Sequence, residues 1–131
     1  MVAKWFAAER GFEKALKLRD MHLMGLARLV APNLILYEVA NALRFHRIYR
    51  FSAGHIVESI KSLVDLGIVD EPDPEIWRTA VELSYRTGIS VYDAIYAALA
   101  ITRKALLVTS DEELYNRLKS EVSVALLREV E

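Results

Sequence analysis

The sequence predicts an α/β fold with a mainly parallel sheet flanked by helices, and three observations carry that prediction. Short apolar runs, among them Ile68-Val69-Asp70 and Ala105-Leu106-Leu107-Val108-Thr109, alternate with longer segments of helical periodicity. The helical segments carry opening and closing residues: Ser52, Asp73-Pro74 and Ser90 at their starts, Gly67 and Gly88 at their ends. The 131 residues are 53% hydrophobic and 27% charged, enough apolar side chain for one domain with a real core and too much for a disordered chain.

In chain order, Gly11 divides an N-terminal helical stretch into a piece over residues 2–10 and a longer one over residues 12–24. Residues 28–31 read as a strand. Pro32 suits a helix start, where its missing N–H is not needed, and that helix is expected to run to about Tyr49. Ser52 caps the next helix, which ends at Gly67. Residues 68–70 form a short strand punctuated by Pro72 and Pro74. Asp73 and Pro74 open a helix that Gly88 closes, and Ser90 opens another running to about Lys104. A strand over residues 105–109, a helix over 111–119 and a strand over 122–127 complete the domain, residues 1–131, with no repeat and no linker.

Composition removes several chemistries. The absence of cysteine excludes disulfides, thiolate zinc sites and a cysteine nucleophile, and it suits a reducing cytoplasm. No apolar stretch is long enough to span a bilayer, and the first residues lack a signal-peptide pattern. A net charge of −1 gives no overall attraction for nucleic acid, so any such surface has to be local. Phosphate-binding glycine loops and nucleophile elbows are missing. His22, His46 and His55 lack metal-ligand spacing and read as surface or packing residues. Arg44, His46, Arg47 and Arg50 form the one basic cluster, read as a cationic helix C-terminus that complements the dipole. Trp5, Phe6, Trp77 and Tyr85 read as core or helix-packing residues, and no nucleic-acid stacking platform is legible.

Three acids stand out. On a helical wheel Glu38 is surrounded by Leu34, Ile35, Asn41, Ala42, Phe45 and Tyr49, which puts a carboxylate inside an apolar stripe with Asn41 as its polar companion. It reads either as a buried, hydrogen-bonded Glu or as a functional acid. Asp93 shares its face with Tyr96, Ala97 and Ala100. Ser90-x-x-Asp93 also has the form of a capping box. Asp111 follows the apolar run that ends at Thr109, and ligands of open α/β sheets bind beyond such strand ends. Its alternative is a first-turn acid favoured by the helix dipole, with Thr109 or Ser110 as the cap. Glu112 and Glu113 read as solvated.

Taken together, Leu36-Tyr37-Glu38-Val39-Ala40-Asn41-Ala42-Leu43, Ile89-Ser90-Val91-Tyr92-Asp93-Ala94-Ile95-Tyr96-Ala97-Ala98-Leu99-Ala100 and Val108-Thr109-Ser110-Asp111 resemble the PIN-domain family, most closely its small prokaryotic toxin branch, VapC. Order, spacing and flanking residues agree over nearly the whole chain. The resemblance implies a three-layer PIN-like fold and a divalent-metal-dependent endoribonuclease. It places Glu38, Asp93 and Asp111 at the family's second, third and fourth acidic positions, as catalytic residues and ligands of Mg2+ or Mn2+, with Asn41, Thr109 and Ser110 in support. Carboxylate oxygens suit these hard ions. It further implies an RNA substrate, an antitoxin partner and a homodimer, with no membrane association. The family begins with a strand ending in an aspartate, ahead of a helix like that starting at Val2. The sequence as given starts at the helix, so the expectation is an N-terminally truncated domain. Its strands near residues 28–31 and 105–109 then lack the partner between them. The rival readings are a catalytically impaired PIN-like module binding RNA or a protein partner, and a structural α/β protein whose acids are caps.

Overall fold

The computed structural model describes residues 12–130. The helix expected over residues 2–10, with Trp5 and Phe6, lies outside the described residues. The described residues fall into two compact units, one through Asp70 and one from Glu71.

The first unit contains α1 (Phe12–Leu23), β1 (Ala31–Pro32), α2 (Leu34–Arg44), α3 (Ala53–Asp65) and β2 (Val69–Asp70). β1 and β2 are parallel, with Ala31 opposite Val69 and Pro32 opposite Asp70. The expected strand over residues 28–31 is thus displaced onto Pro32, and the helix begins two residues later than expected, at Leu34. The ladder explains why proline is tolerated: Ala31 donates its N–H to Ile68 O at 2.8 Å and Asn33 donates to Asp70 O at 2.9 Å, so the residue between them has no donor to supply. α2 packs on α3 and β1 through Ile35, Val39 and Leu43, and α3 buries Ser59 and Leu63. The buried Ser59 hydroxyl is satisfied by donating to His55 O at 3.0 Å. His22 is a tie rather than a surface residue. Its Nε2–H donates to Leu66 O at 2.7 Å while its Nδ1 accepts from the Leu29 N–H at 3.1 Å, joining α1, the approach to β1 and the end of α3.

α2 stops at Arg44, five residues before the expected end near Tyr49. The cause is His46. Its Nδ1 accepts from the backbone N–H groups of Ile48 and Tyr49, each at 3.2 Å, and those are donors that a continuing helix would have turned toward carbonyls one turn back. The chain then runs without regular structure to Ser52, whose Oγ accepts from His55 N at 3.1 Å and caps α3 as expected.

The second unit contains α4 (Pro74–Thr87), α5 (Val91–Arg103), β3 (Leu107–Thr109), α6 (Glu112–Leu118), β4 (Val124–Leu126) and a short 3₁₀ turn at Leu127–Glu129. β3 and β4 are parallel, in the register Leu107 to Val124, Val108 to Ala125 and Thr109 to Leu126. The four described strands therefore pair two by two, each pair within its own unit. α4 lies along α5. The former buries Ile76, Ala80 and Leu83, while the latter buries Ala94, Ile95, Ala97, Ala98, Leu99 and Ala100, a surface of small residues that lets the two backbones approach. Trp77 and Tyr85, expected as core or helix-packing residues, lie off that stripe, Trp77 about a quarter turn round from Ile76 and Tyr85 on the opposite face of α4, and are 50% and 88% exposed.

Both end signals of α4 hold. Asp73 Oδ1 accepts from Ile76 N at 2.9 Å ahead of Pro74, and Gly88 ends α4 at φ 76°, a left-handed conformation that glycine adopts without strain. Asp73→Ala is expected to lower stability by about 1 kcal/mol in urea unfolding, and Asp73→Asn by much less, because Asn still supplies a capping oxygen.

Candidate active site

Glu38 lies in the middle of α2 and is exposed. This corrects its expected position within a buried stripe. The face that packs is centred on Ile35, Val39 and Leu43, about a quarter turn away, and the neighbours first assigned to Glu38 include the exposed Asn41, Ala42 and Phe45. Its carboxylate therefore keeps access to water and ligands. Asn41 lies one turn along the same exposed flank.

Asp93 sits in the first turn of α5 and is half-exposed, on a face whose Ala97 and Ala100 are buried. Ser90 is the cap of this helix, and its Oγ accepts from the backbone N–H of Asp93 at 3.1 Å. The cap uses the main chain of Asp93 as donor, so this capping bond does not consume the carboxylate.

Asp111 follows β3 and is exposed. It is itself the cap of α6: Oδ1 accepts from Leu114 N at 3.1 Å, while its own N–H donates to Thr109 Oγ1 at 3.1 Å. Thr109 therefore orients Asp111 rather than capping the helix in its place, and Ser110 is exposed between them. The capping bond occupies one carboxylate oxygen and leaves acceptor capacity on the group. Glu112 and Glu113, expected to be solvated, are exposed but engaged. Glu112 pairs with Arg128, whose proton affinity rises through that hydrogen bond and the charge of Glu112, and Glu113 pairs with Arg117 at 3.3 Å.

The three candidate residues are all carboxylates, with no histidine or sulfur among them. Their chemistry fits a hard divalent cation that keeps several waters. Among the described residues no group of three or more His, Asp or Glu side chains is assembled closely enough to hold a metal ion. Glu38 belongs to the first unit, Asp93 and Asp111 to the second.

One feature escaped the sequence reading. In the α2–α3 connector and the first turn of α3, His46, Tyr49, Phe51 and His55 bring their rings together: the centroid separations are 5.3 Å for His46 and Tyr49, 6.0 Å for Tyr49 and Phe51, and 5.1 Å for Phe51 and His55. The signal was present in the sequence. Between Glu38 and Glu58 there is no acidic residue, and aromatic and basic side chains interleave over residues 44–51.

Comparison with known proteins places these residues in context. The family described as "PIN domain" matches residues 2–119. The chain is also 30% identical, over 126 residues, to a protein of Pyrobaculum aerophilum named Exonuclease VapC9, an alignment covering 93% of this chain and 86% of that relative.

Proposed function

Because this chain belongs to the PIN-domain family and is VapC-like, we propose that it is a nuclease that hydrolyses RNA phosphodiester bonds with Mg2+ or Mn2+, using Glu38, Asp93 and Asp111. The observation that carries the proposal is the family match over residues 2–119, which takes in all three acids. A bound divalent cation would supply positive charge to the scissile phosphate and leaving oxygen and make water a stronger acid. The chain's part is to deliver hard oxygen donors from three elements. Glu38 comes from the exposed flank of α2, Asp93 from the first turn of α5, and Asp111 from the end of β3, where Thr109 holds its backbone. The same membership supports an antitoxin protein as the partner and a homodimer as the assembly.

The relative is named an exonuclease, whereas the proposal here is internal cleavage. A labelled linear RNA and a covalently closed circle of the same sequence separate the two. Both are expected to be cut in Mn2+ and neither in EDTA. Cutting of the linear RNA alone would replace internal cleavage with exonuclease action. No cleavage of either, with RNA still bound, would favour the catalytically impaired binding module instead.

A further inference from the structure

We propose that the α2–α3 connector, with the first turn of α3, is a binding surface for single-stranded RNA, stacking bases on the rings of Tyr49, Phe51 and His55 and holding phosphates with Arg47 and Arg50. The choice of RNA over DNA rests on the proposed function; the surface itself rests on four observations within the first unit.

The rings form a connected series. Phe51 and His55 are stacked with an interplanar angle of 10°, and Tyr49 joins them tilted by 42°. These rings are not sealed in the core: Tyr49 is 41% exposed and His55 is exposed. Neighbouring apolar groups are also open to solvent, with Phe45 at 66% under the guanidinium of Arg44 and Ile48 at 77%. Base–aromatic stacking uses faces of this kind and tolerates any base.

Charge complements the rings. Arg44, Arg47 and Arg50 are all exposed, and among the described residues no carboxylate pairs with Arg47 or Arg50. The uninterrupted absence of acids from residue 39 to residue 57 leaves a local excess of positive charge on a chain of net charge −1. α2 ends at Arg44, so Arg47 and Arg50 lie beyond the last helical turn where a dipole would be complemented. The connector is also held in shape. His46 accepts two backbone N–H groups and Ser52 caps α3, so the rings are presented without a large ordering cost on binding. A duplex hides its base faces, which makes unpaired strands the matching partner.

The test is fluorescence anisotropy of the full chain with a labelled single-stranded oligoribonucleotide of about ten nucleotides, in EDTA so that nothing is cut. The double substitution Arg47→Ala with Arg50→Ala should weaken binding and lower the salt slope of log K by about 1.4, two phosphate contacts at roughly 0.7 each. Tyr49→Ala should weaken binding about tenfold and leave the salt slope unchanged. Tyr49→Leu, which keeps apolar bulk, should weaken it too, and it stands in if the alanine variant misfolds. An RNA duplex of the same sequence should bind more weakly. Unchanged affinity in the arginine and Tyr49 variants would overturn the proposal. So would equal affinity for the duplex, which would leave charge alone, or equal competition by polyglutamate, which would point to an acidic peptide as the occupant. The two readings fail separately. Binding that depends on these residues without any metal-dependent cleavage overturns the nuclease reading alone. Cleavage that depends on Asp93, with binding indifferent to the connector, overturns this surface alone.

Discussion

Asp93→Asn is expected to lower metal-dependent RNA cleavage on the order of a thousandfold while the protein keeps its fold. The magnitude follows from metal-assisted charge stabilisation worth several kcal/mol, with about 1.4 kcal/mol for each factor of ten. The fold should survive because the cap bond at this position runs from the Asp93 backbone N–H to Ser90 Oγ, which the side-chain change leaves in place. Asp111→Asn offers a second variant with the same logic. Asn caps helices about as well as Asp and can still accept from Leu114 N, yet it brings no charge for a hard cation. Both variants should melt within a few degrees of the parent by circular dichroism while losing cleavage. Full activity in either one would mean that this aspartate serves only its helix.

The second large effect is on stability. Leu83→Ala is expected to cost about 2–5 kcal/mol, measured as a shift in the urea midpoint at unchanged slope. Leu83 is 0% exposed on α4, whose packing partner α5 contributes mainly alanines to its buried surface. Alanines cannot extend into a vacated volume, and the helix backbones cannot close further without disturbing Ile76 and Ala80 on the same stripe. A loss under 1 kcal/mol would show that the α4–α5 contact relaxes and is not close-packed.

The contrast between what the sequence disclosed and what it hid follows the range of the interactions. Ser52, Asp73 and Ser90 were legible as caps because a cap is decided within four residues. Asp111 was not, because Thr109, Ser110 and Asp111 are consecutive residues that can each cap, and the choice depends on where β3 stops pairing with β4. The end of α2 was hidden in the His46 ring, which takes two backbone donors that periodicity assigns to the helix. Glu38 was misplaced for a related reason. α2 has two apolar flanks, one through Ile35, Val39 and Leu43 and one through Leu34, Ala42 and Phe45, and its packing on α3 and β1 selects the first. The three acids become candidates only jointly, through the motifs that carry them, since each alone has a structural role to explain it. The connector rings went unnoticed because a helix continued to Tyr49 would have distributed them around its wheel.

The central claim is that Glu38, Asp93 and Asp111 serve one divalent cation. Titrating Mn2+ calorimetrically into the full chain and into Glu38→Gln, Asp93→Asn and Asp111→Asn tests it most directly. The account predicts saturable binding to the parent that each of the three single substitutions weakens at least about tenfold. Binding of equal affinity in the parent and all three variants would contradict it.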